Sequence, residues 1–280
     1  MGKRIITIEK TDDFKKYLVF NEKSNATIEK YIRDIQKFLE YNNNEEITKE
    51  KVIAYKEYLK EKYTVSSINS MLVSLNSYFS FLDWYDLKVK LFKKQQKIFC
   101  AEERELTKTE YIKLCQIAES KNNERLSLIM QTICAMGIRV SELQYITVEA
   151  VNKGEAIISL KSKTRFIFIV KKLKKKLLDY ANKNNIKSGM IFITKKGKAI
   201  NRINIWREMK KLCKEANINP QKVYPHNLRH LFARVFYSKE KDIVKLADIL
   251  GHSSINTTRI YIVSTGSEHR QRMENMHLIL

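Results

Sequence analysis

The chain has few of the residues that interrupt helices, with only 7 glycines and 2 prolines among 280 residues. A mostly helical protein is therefore expected. No apolar run approaches the roughly 18 residues that a membrane-spanning helix needs. The first residues lack the apolar core of a secretory signal, and position 6 is Ile where a myristoylation signal needs Ser or Thr. These absences predict a cytoplasmic protein without a membrane span.

Cysteine is scarce as well, and the four cysteines lie far apart, at Cys100, Cys115, Cys134 and Cys213. They form no C-x-x-C pair, and the sequence has neither a metal-ligand spacing nor a phosphate-binding P-loop. We therefore expect reduced thiols, no metal site and no cofactor.

Positive charge is abundant, because 53 Lys and Arg against 31 Asp and Glu give a formal net charge of +22. Residues 1–100 hold 19 basic and 14 acidic residues, and residues 101–280 hold the other 34 and 17. Such a field attracts polyanions, and nucleic acid is the main candidate. A lysine-rich proteome or a ribosome-associated protein would also explain the charge, whereas a membrane-surface role is a weaker explanation.

Two domains are predicted, with residues 1–90 as a helical domain, 91–104 as a linker and 105–280 as a second domain that ends in a tail helix. The first domain should contain four short helices, one capped by Thr11 and another by Thr48. Its segment SNATIEKYIRDIQKFLEY has an apolar face at helical spacing. The linker is basic and lacks a clear amphipathic period.

The second domain should be mixed α/β, mostly helical with a small β-hairpin. It opens with a capping box from Thr107 to Glu110, and Gly137 follows a long apolar helix as a C-cap residue would. The runs EAIISL and RFIFIV are rich in β-formers and are joined by the short segment KSKT, which favours a hairpin. Helices should make up most of the chain after this hairpin.

Five polar residues lie where packing does not require them: Arg139, His226, Arg229, His252 and Tyr261. Guanidinium groups match phosphate oxygens in geometry and charge, and a tyrosine hydroxyl can serve as a nucleophile if its proton is removed. The set therefore suits attack on a phosphodiester. Each residue alone also has an ordinary explanation as a helix cap, a solvated helix face or part of the core.

The order and spacing of these five residues are similar to those of a known protein family. The segments GIRVSEL (137–143), PHNLRHLFA (225–233) and LGHSSINTTRIY (250–261) closely resemble the three signature segments of the tyrosine recombinases, also called phage-integrase or Xer-like recombinases. The match covers the second domain in the correct order. The helices of the first domain are similar to that family's SAM-like core-binding domain.

The resemblance implies a role for each residue. Arg139 and Arg229 would hold the scissile phosphate, with Glu142 supporting Arg139. His226 would pair with Arg229 as the H-x-x-R motif, and His230 would give structural support. His252 would hydrogen-bond or orient the phosphate, and Tyr261 would be the nucleophile that forms a 3′-phosphotyrosyl link to DNA.

The resemblance also implies a catalytic lysine on the β-hairpin that protonates the 5′-oxygen leaving group. The family often has G-K-G-x-K-x-R there, whereas this hairpin reads LKSKTRFIFIV, without either glycine and one residue shorter. Lys161 aligns best with the catalytic lysine, and Lys163 is the alternative. If Lys161 is catalytic, Lys163 and Arg165 are expected to face the DNA backbone.

We therefore expect a site-specific recombinase that binds double-stranded DNA and associates with the nucleoid. It would act as a homotetramer on two paired sites and be a monomer or dimer off DNA. It could serve as the integrase or excisionase of a mobile element, or as a dimer-resolving recombinase. A type IB topoisomerase and a non-catalytic DNA-binding regulator on the same fold are the alternatives. The apolar edge of the tail, Met273, Met276 and Leu280, would pack on a neighbouring subunit or, alternatively, on its own domain.

Overall fold

A computed structural model describes residues 4–6, 8–93, 104–160, 163–194, 196–261 and 273–276. The chain divides into two compact units, Met1–Gln96 and Lys97–Leu280. Most of the proposed linker 91–104 and of the tail lies outside the described residues. In the part that is described, no helix is both long enough and apolar enough to cross a membrane.

The first unit is a helical bundle, as predicted. Its helices are α1 (Ile8–Phe20), α2 (Asn25–Tyr41), α3 (Lys49–Lys62) and α4 (Val65–Phe81), followed by a 3-10 turn at Tyr85–Leu87. Ser24, Thr48 and Thr64 accept backbone hydrogen bonds at the starts of α2, α3 and α4. The prediction that Thr11 caps the first helix is wrong, because α1 begins earlier, at Ile8, and Thr11 lies inside it.

The core of this unit forms where the apolar faces of the helices meet. In α2 the buried residues include Ile28, Ile35 and Phe38, which confirms the face predicted from the sequence. The polar residues of α4 also have a role, because Asn69 and Asn76 bind backbone next to the helix. Asn76 Nδ2 donates to the carbonyl of Val89 at 2.8 Å, and Asn69 Nδ2 donates to that of Phe92 at 2.9 Å.

The second unit contains eight further helices and one hairpin among its described residues. These are α5 (Lys108–Ser120), α6 (Glu124–Met136), α7 (Val148–Lys153), β1 (Glu155–Leu160), β2 (Lys163–Phe168), α8 (Lys171–Lys183), α9 (Arg202–Ala216), α10 (Pro225–Glu240), α11 (Ile243–Leu250) and α12 (Ile255–Arg259). The capping box of Thr107 and Glu110 is present, as predicted. A short 3-10 helix, Val140–Tyr145, follows α6.

The hairpin is antiparallel, and its register decides which residues face inward. Ile158 pairs with Arg165, and Ala156 pairs with Ile167. Because paired residues lie on the same face and side chains alternate along a strand, Arg165 shares a face with the buried Ile158 and Ile167. The opposite face exposes Phe166 and Phe168.

Gly137 ends α6 in the left-handed conformation, with φ of +62°, as a C-cap residue. A Cβ at this position would lie 2.4 Å from Cδ1 of Phe232 and 3.1 Å from Cδ2 of Leu250. The glycine thus allows α10 and α11 to pack closely against the end of α6, where the polar residues of the three signature segments meet.

Gly137→Ala should therefore destabilise the second unit more than a change of backbone preference alone would. The left-handed backbone costs about 1–2 kcal/mol for a residue with a Cβ, and crowding against the Phe232 ring should add about 1–3 kcal/mol. Gly154→Ala is the matched control, because Gly154 has φ of +84° but a Cβ added there would have no neighbouring atom within 4 Å. Thermal unfolding of the two variants measures the difference, and equal losses of stability would contradict the packing argument.

Candidate active site

Arg229 lies at the centre of the site, with none of its side chain exposed to solvent. It is in the second turn of α10, and its guanidinium reaches the ends of two other helices. Nη1 donates to the carbonyl of Gly137 at 2.8 Å, and Nη2 donates to that of Leu250 at 2.7 Å. These carbonyls belong to the C-terminal ends of α6 and α11, where backbone acceptors lack helical partners and carry partial negative charge. Burial lowers the pKa of Arg229 to about 10, so it stays protonated at neutral pH.

Arg139 and Glu142 form a local pair at the start of the 3-10 helix. The Glu142 carboxylate accepts a hydrogen bond from Arg139 N at 2.6 Å and another from Arg139 Nη1 at 3.0 Å. Glu142 is fully buried, whereas 38% of the Arg139 side chain is exposed. Arg139 therefore presents a guanidinium that solvent, and hence a phosphate, can reach.

Arg165, which the sequence led us to expect against the DNA backbone, is largely buried in the free chain and is paired within the protein. Its Nη2 pairs with Glu142 Oε2 at 2.5 Å, and its Nη1 donates to the carbonyl of Ile249 at 2.5 Å. The register of the hairpin places Arg165 on the buried face, and Glu142 offers it a compensating charge. Arg165 thus ties the hairpin to the end of α11.

His252 follows the C-cap of α11 and contacts groups on both sides of its ring. Its Nε2 lies 2.9 Å from Arg229 Nη2, and its Nδ1 lies 2.8 Å from Thr258 Oγ1. Its ring stacks on that of Tyr261, with centroids 5.3 Å apart. Burial and the charges of Arg229 and Arg139 lower the pKa of His252 to about 4. Sequence reasoning missed Thr258, although the threonine pair in LGHSSINTTRIY was a visible signal.

Tyr261 lies just after α12 and is buried among histidine rings. Its hydroxyl is 3.2 Å from His226 Nε2, and its ring is 4.3 Å from that of His230. Burial lowers the pKa of His230 to about 4, and desolvation together with Arg229 and Arg139 lowers the pKa of His226. At neutral pH the imidazole of His226 is therefore able to accept the tyrosine proton.

The structure thus brings together Arg139, Glu142, Arg165, His226, Arg229, His230, His252 and Tyr261. Lys161 lies outside the described residues, as does the side chain of Lys163. A small pocket beside Arg139 and His226 is also lined by Ser141 and Arg202, which the sequence did not single out. Within the described ranges, no three His, Cys, Asp or Glu side chains are grouped as metal ligands.

This geometry combines a hydroxyl, a neutral imidazole beside it and guanidinium groups within one site. The imidazole can take up the proton of the hydroxyl, and the guanidiniums can stabilise charge on phosphate oxygens. Such an arrangement fits nucleophilic displacement at phosphorus.

Both units resemble known proteins. Residues 104–268 match the phage integrase family, and residues 11–85 match the phage integrase N-terminal SAM-like domain. The tyrosine recombinase XerA of Pyrococcus furiosus is 28% identical over all of this chain and 98% of its own length.

Two solved structures share the fold. One is a XerH site-specific recombinase bound to its difH substrate, with a TM-score of 0.70 and 19% identity over 95% of this chain and 84% of that one. The other is a lambda integrase tetramer bound to a Holliday junction, with a TM-score of 0.71 and 17% identity over 92% and 77%.

The lowered pKa of His230 predicts that this residue makes stability depend on pH. Between about pH 6.5 and pH 4 the unfolded chain takes up a proton that the native His230 resists, so stability falls as the pH falls through this window. His230→Asn removes this proton uptake. Its melting temperature should therefore drop less than that of the wild type between pH 7 and pH 4.5, and an equal drop would show that His230 is not held neutral.

Proposed function

This chain belongs to the phage integrase family, and we propose that it cleaves and rejoins duplex DNA through a covalent link between Tyr261 and a 3′ phosphate. It is a site-specific recombinase of the tyrosine type, as its relatives are. The hydrogen bond between the Tyr261 hydroxyl and His226, beside two arginines, is the observation that carries the proposal. A non-catalytic regulator would have no need to keep this set together.

In the first step the Tyr261 oxygen attacks the scissile phosphorus while its proton passes to His226 Nε2. Negative charge grows on the non-bridging oxygens, and Arg139 and Arg229 stabilise it. The bond to the 5′ oxygen breaks, and that oxygen takes a proton from the hairpin lysine, which we assign to Lys161. Attack by another 5′ hydroxyl reverses the step and releases the tyrosine, so the energy of the broken bond is retained.

The phosphate should approach the site from the side of Arg139, because the Arg229 side chain has no exposed surface in the free chain. Arg202 lies beside the same pocket and adds positive charge there. The high net charge of the chain supports extensive contact with DNA phosphates, so binding should weaken steeply as salt rises. A DNA substrate also implies association with the nucleoid.

We further propose that the active form is a tetramer on two paired sites. The lambda integrase structure that shares the fold is a tetramer bound to a Holliday junction. Off DNA the chain would be a monomer or dimer. The tail would join neighbouring subunits through its apolar edge, and Met273 and Met276 are both exposed. Leu280, the third residue of that edge, lies outside the described residues.

Tyr261→Phe tests the nucleophile directly. The change removes the hydroxyl but keeps the ring, which packs against three histidines, so the fold and the binding of a duplex site should be retained. On a nicked suicide substrate the wild type should accumulate a covalent protein–DNA complex, and the variant should form none. A denaturation-resistant adduct with the variant would place the nucleophile elsewhere.

A substrate with sulfur in place of the bridging 5′ oxygen tests the lysine. Lys161→Ala should cleave ordinary DNA poorly, because the 5′ oxygen would leave without a proton. A thiolate leaves readily without one, so the sulfur substrate should restore much of the rate.

Arg139→Ala is the control, since its loss concerns the non-bridging oxygens and sulfur should not rescue it. Arg139 suits this purpose better than Arg229, whose complete burial would confound the result with misfolding. Rescue of Lys163→Ala instead of Lys161→Ala would assign the proton donor to Lys163.

A further inference from the structure

Thr258 is a buried polar residue to which the roles above give no part. It lies in the five-residue helix α12, and none of its surface is exposed. Its hydroxyl oxygen is 2.8 Å from Nδ1 of His252. Burying a hydroxyl without a hydrogen-bond partner destabilises the fold, and this contact gives the Thr258 hydroxyl a partner.

The direction of this hydrogen bond follows from the other side of the histidine ring. A guanidinium has N–H donors and no acceptor. Arg229 Nη2, which is 2.9 Å from His252 Nε2, must therefore donate, and Nε2 must carry a lone pair. A neutral imidazole with a bare Nε2 has its hydrogen on Nδ1, so Nδ1 donates to the oxygen of Thr258.

The surroundings of His252 favour this neutral form. Burial lowers its pKa to about 4, and the positive charges of Arg229, Arg139 and Arg165 and the nearby His226 act in the same direction. The ring of Tyr261 covers its face.

Thr258 is also connected to the nucleophile through the backbone. The amide of Tyr261 donates to the carbonyl of Thr258 at 2.9 Å. One residue thus contacts His252 with its side chain and Tyr261 with its main chain. The planes of the His252 and Tyr261 rings, which lie between these two bonds, differ by only 21°.

We propose that Thr258 is a positioning residue for strand transfer, whose hydroxyl holds the hydrogen of His252 on Nδ1 and so keeps Nε2 directed at Arg229. This inference rests on the proposed function, because that function gives His252 its task at the phosphate. When a phosphate oxygen replaces Nε2 as the acceptor for Arg229, Nε2 is free to take up a proton from water. The negative charge of the phosphate stabilises this proton, and Nε2 then donates a hydrogen bond to the phosphate. The bond from Nδ1 to Thr258 is the same before and after this change.

The tautomer of His252 can be read in the free 280-residue chain from the ¹⁵N shifts of its histidine side chains. The chain has five histidines, and the loss of one signal in His252→Gln assigns that residue. The wild type and Thr258→Ser, which keeps a hydroxyl, should show hydrogen on Nδ1. Thr258→Val, which has nearly the same shape but no acceptor, should shift the ring toward hydrogen on Nε2.

Cleavage of the suicide substrate gives the second readout. Thr258→Ser should cleave within about threefold of the wild-type rate, and Thr258→Val should be slower by about tenfold, the range expected for the loss of one buried hydrogen bond. Thr132→Val is the matched control. Thr132 is a buried threonine of α6 whose hydroxyl has no hydrogen-bond partner among the residues that the structure describes. Thr132→Val should leave both the tautomer of His252 and the cleavage rate unchanged.

A wild-type His252 with its hydrogen on Nε2 would overturn the proposal, even if Thr258→Val failed to fold. It would also be overturned if Thr258→Val had the wild-type tautomer and the wild-type cleavage rate. If Thr258→Ser and Thr258→Val slowed cleavage equally, Thr258 would have a packing role, and the proposal would again be wrong. Failure of the wild type to cleave any DNA would refute the proposed function, whereas the tautomer would still be measurable.

Discussion

A buried guanidinium loses its hydrogen bonds to water and needs acceptors within the protein. For Arg229 these acceptors are mainly backbone carbonyls. The cost of burying such a charge is several kcal/mol unless its hydrogens find acceptors. The carbonyls of Gly137 and Leu250 accept from its Nη1 and Nη2 at the C-terminal ends of α6 and α11. The last carbonyls of a helix have no partner within that helix, so the same contacts satisfy acceptors at the ends of both helices. Arg229 of α10 therefore links the C-terminal ends of α6 and α11.

One buried carboxylate, that of Glu142, balances part of the remaining charge. It lies within 4 Å of Arg139, Arg165 and Arg229. Because three guanidinium groups share one carboxylate, the site keeps a net positive charge before any DNA arrives. Beside burial, the same excess lowers the pKa of His226, and the proposed mechanism needs this imidazole neutral to accept the tyrosine proton. In the proposed mechanism, the same arginines would stabilise charge on the phosphate and keep His226 able to accept the tyrosine proton. The fold holds these groups in place before the reaction begins.

Local chemistry predicted much of this structure from the sequence. The capping box at Thr107, the end of α6 at Gly137 and the hairpin depend on near neighbours in the chain, and the structure confirms them. Strand alternation in RFIFIV puts Arg165 on one face with Ile167, but the other face carries two phenylalanines, so the pattern alone does not show which face is buried. The expectation that Arg165 faces DNA came from the resemblance to the family. The contacts of Thr258 with His252 and of Arg229 with two helix ends depend on tertiary packing, which helical spacing does not reveal.

The turn at Gly251 lies between the contacts of Arg165 and those of Arg229. Its φ of +65° ends α11, and a Cβ there would lie 2.7 Å from Cδ of Arg165. Only a glycine satisfies both the backbone and the approach of that side chain. The last two carbonyls of α11 then serve different arginines, that of Ile249 binding Arg165 and that of Leu250 binding Arg229. Through this turn the β-hairpin is joined, by way of Arg165, to the end of α11 that also binds Arg229, and His252 is the next residue in the chain.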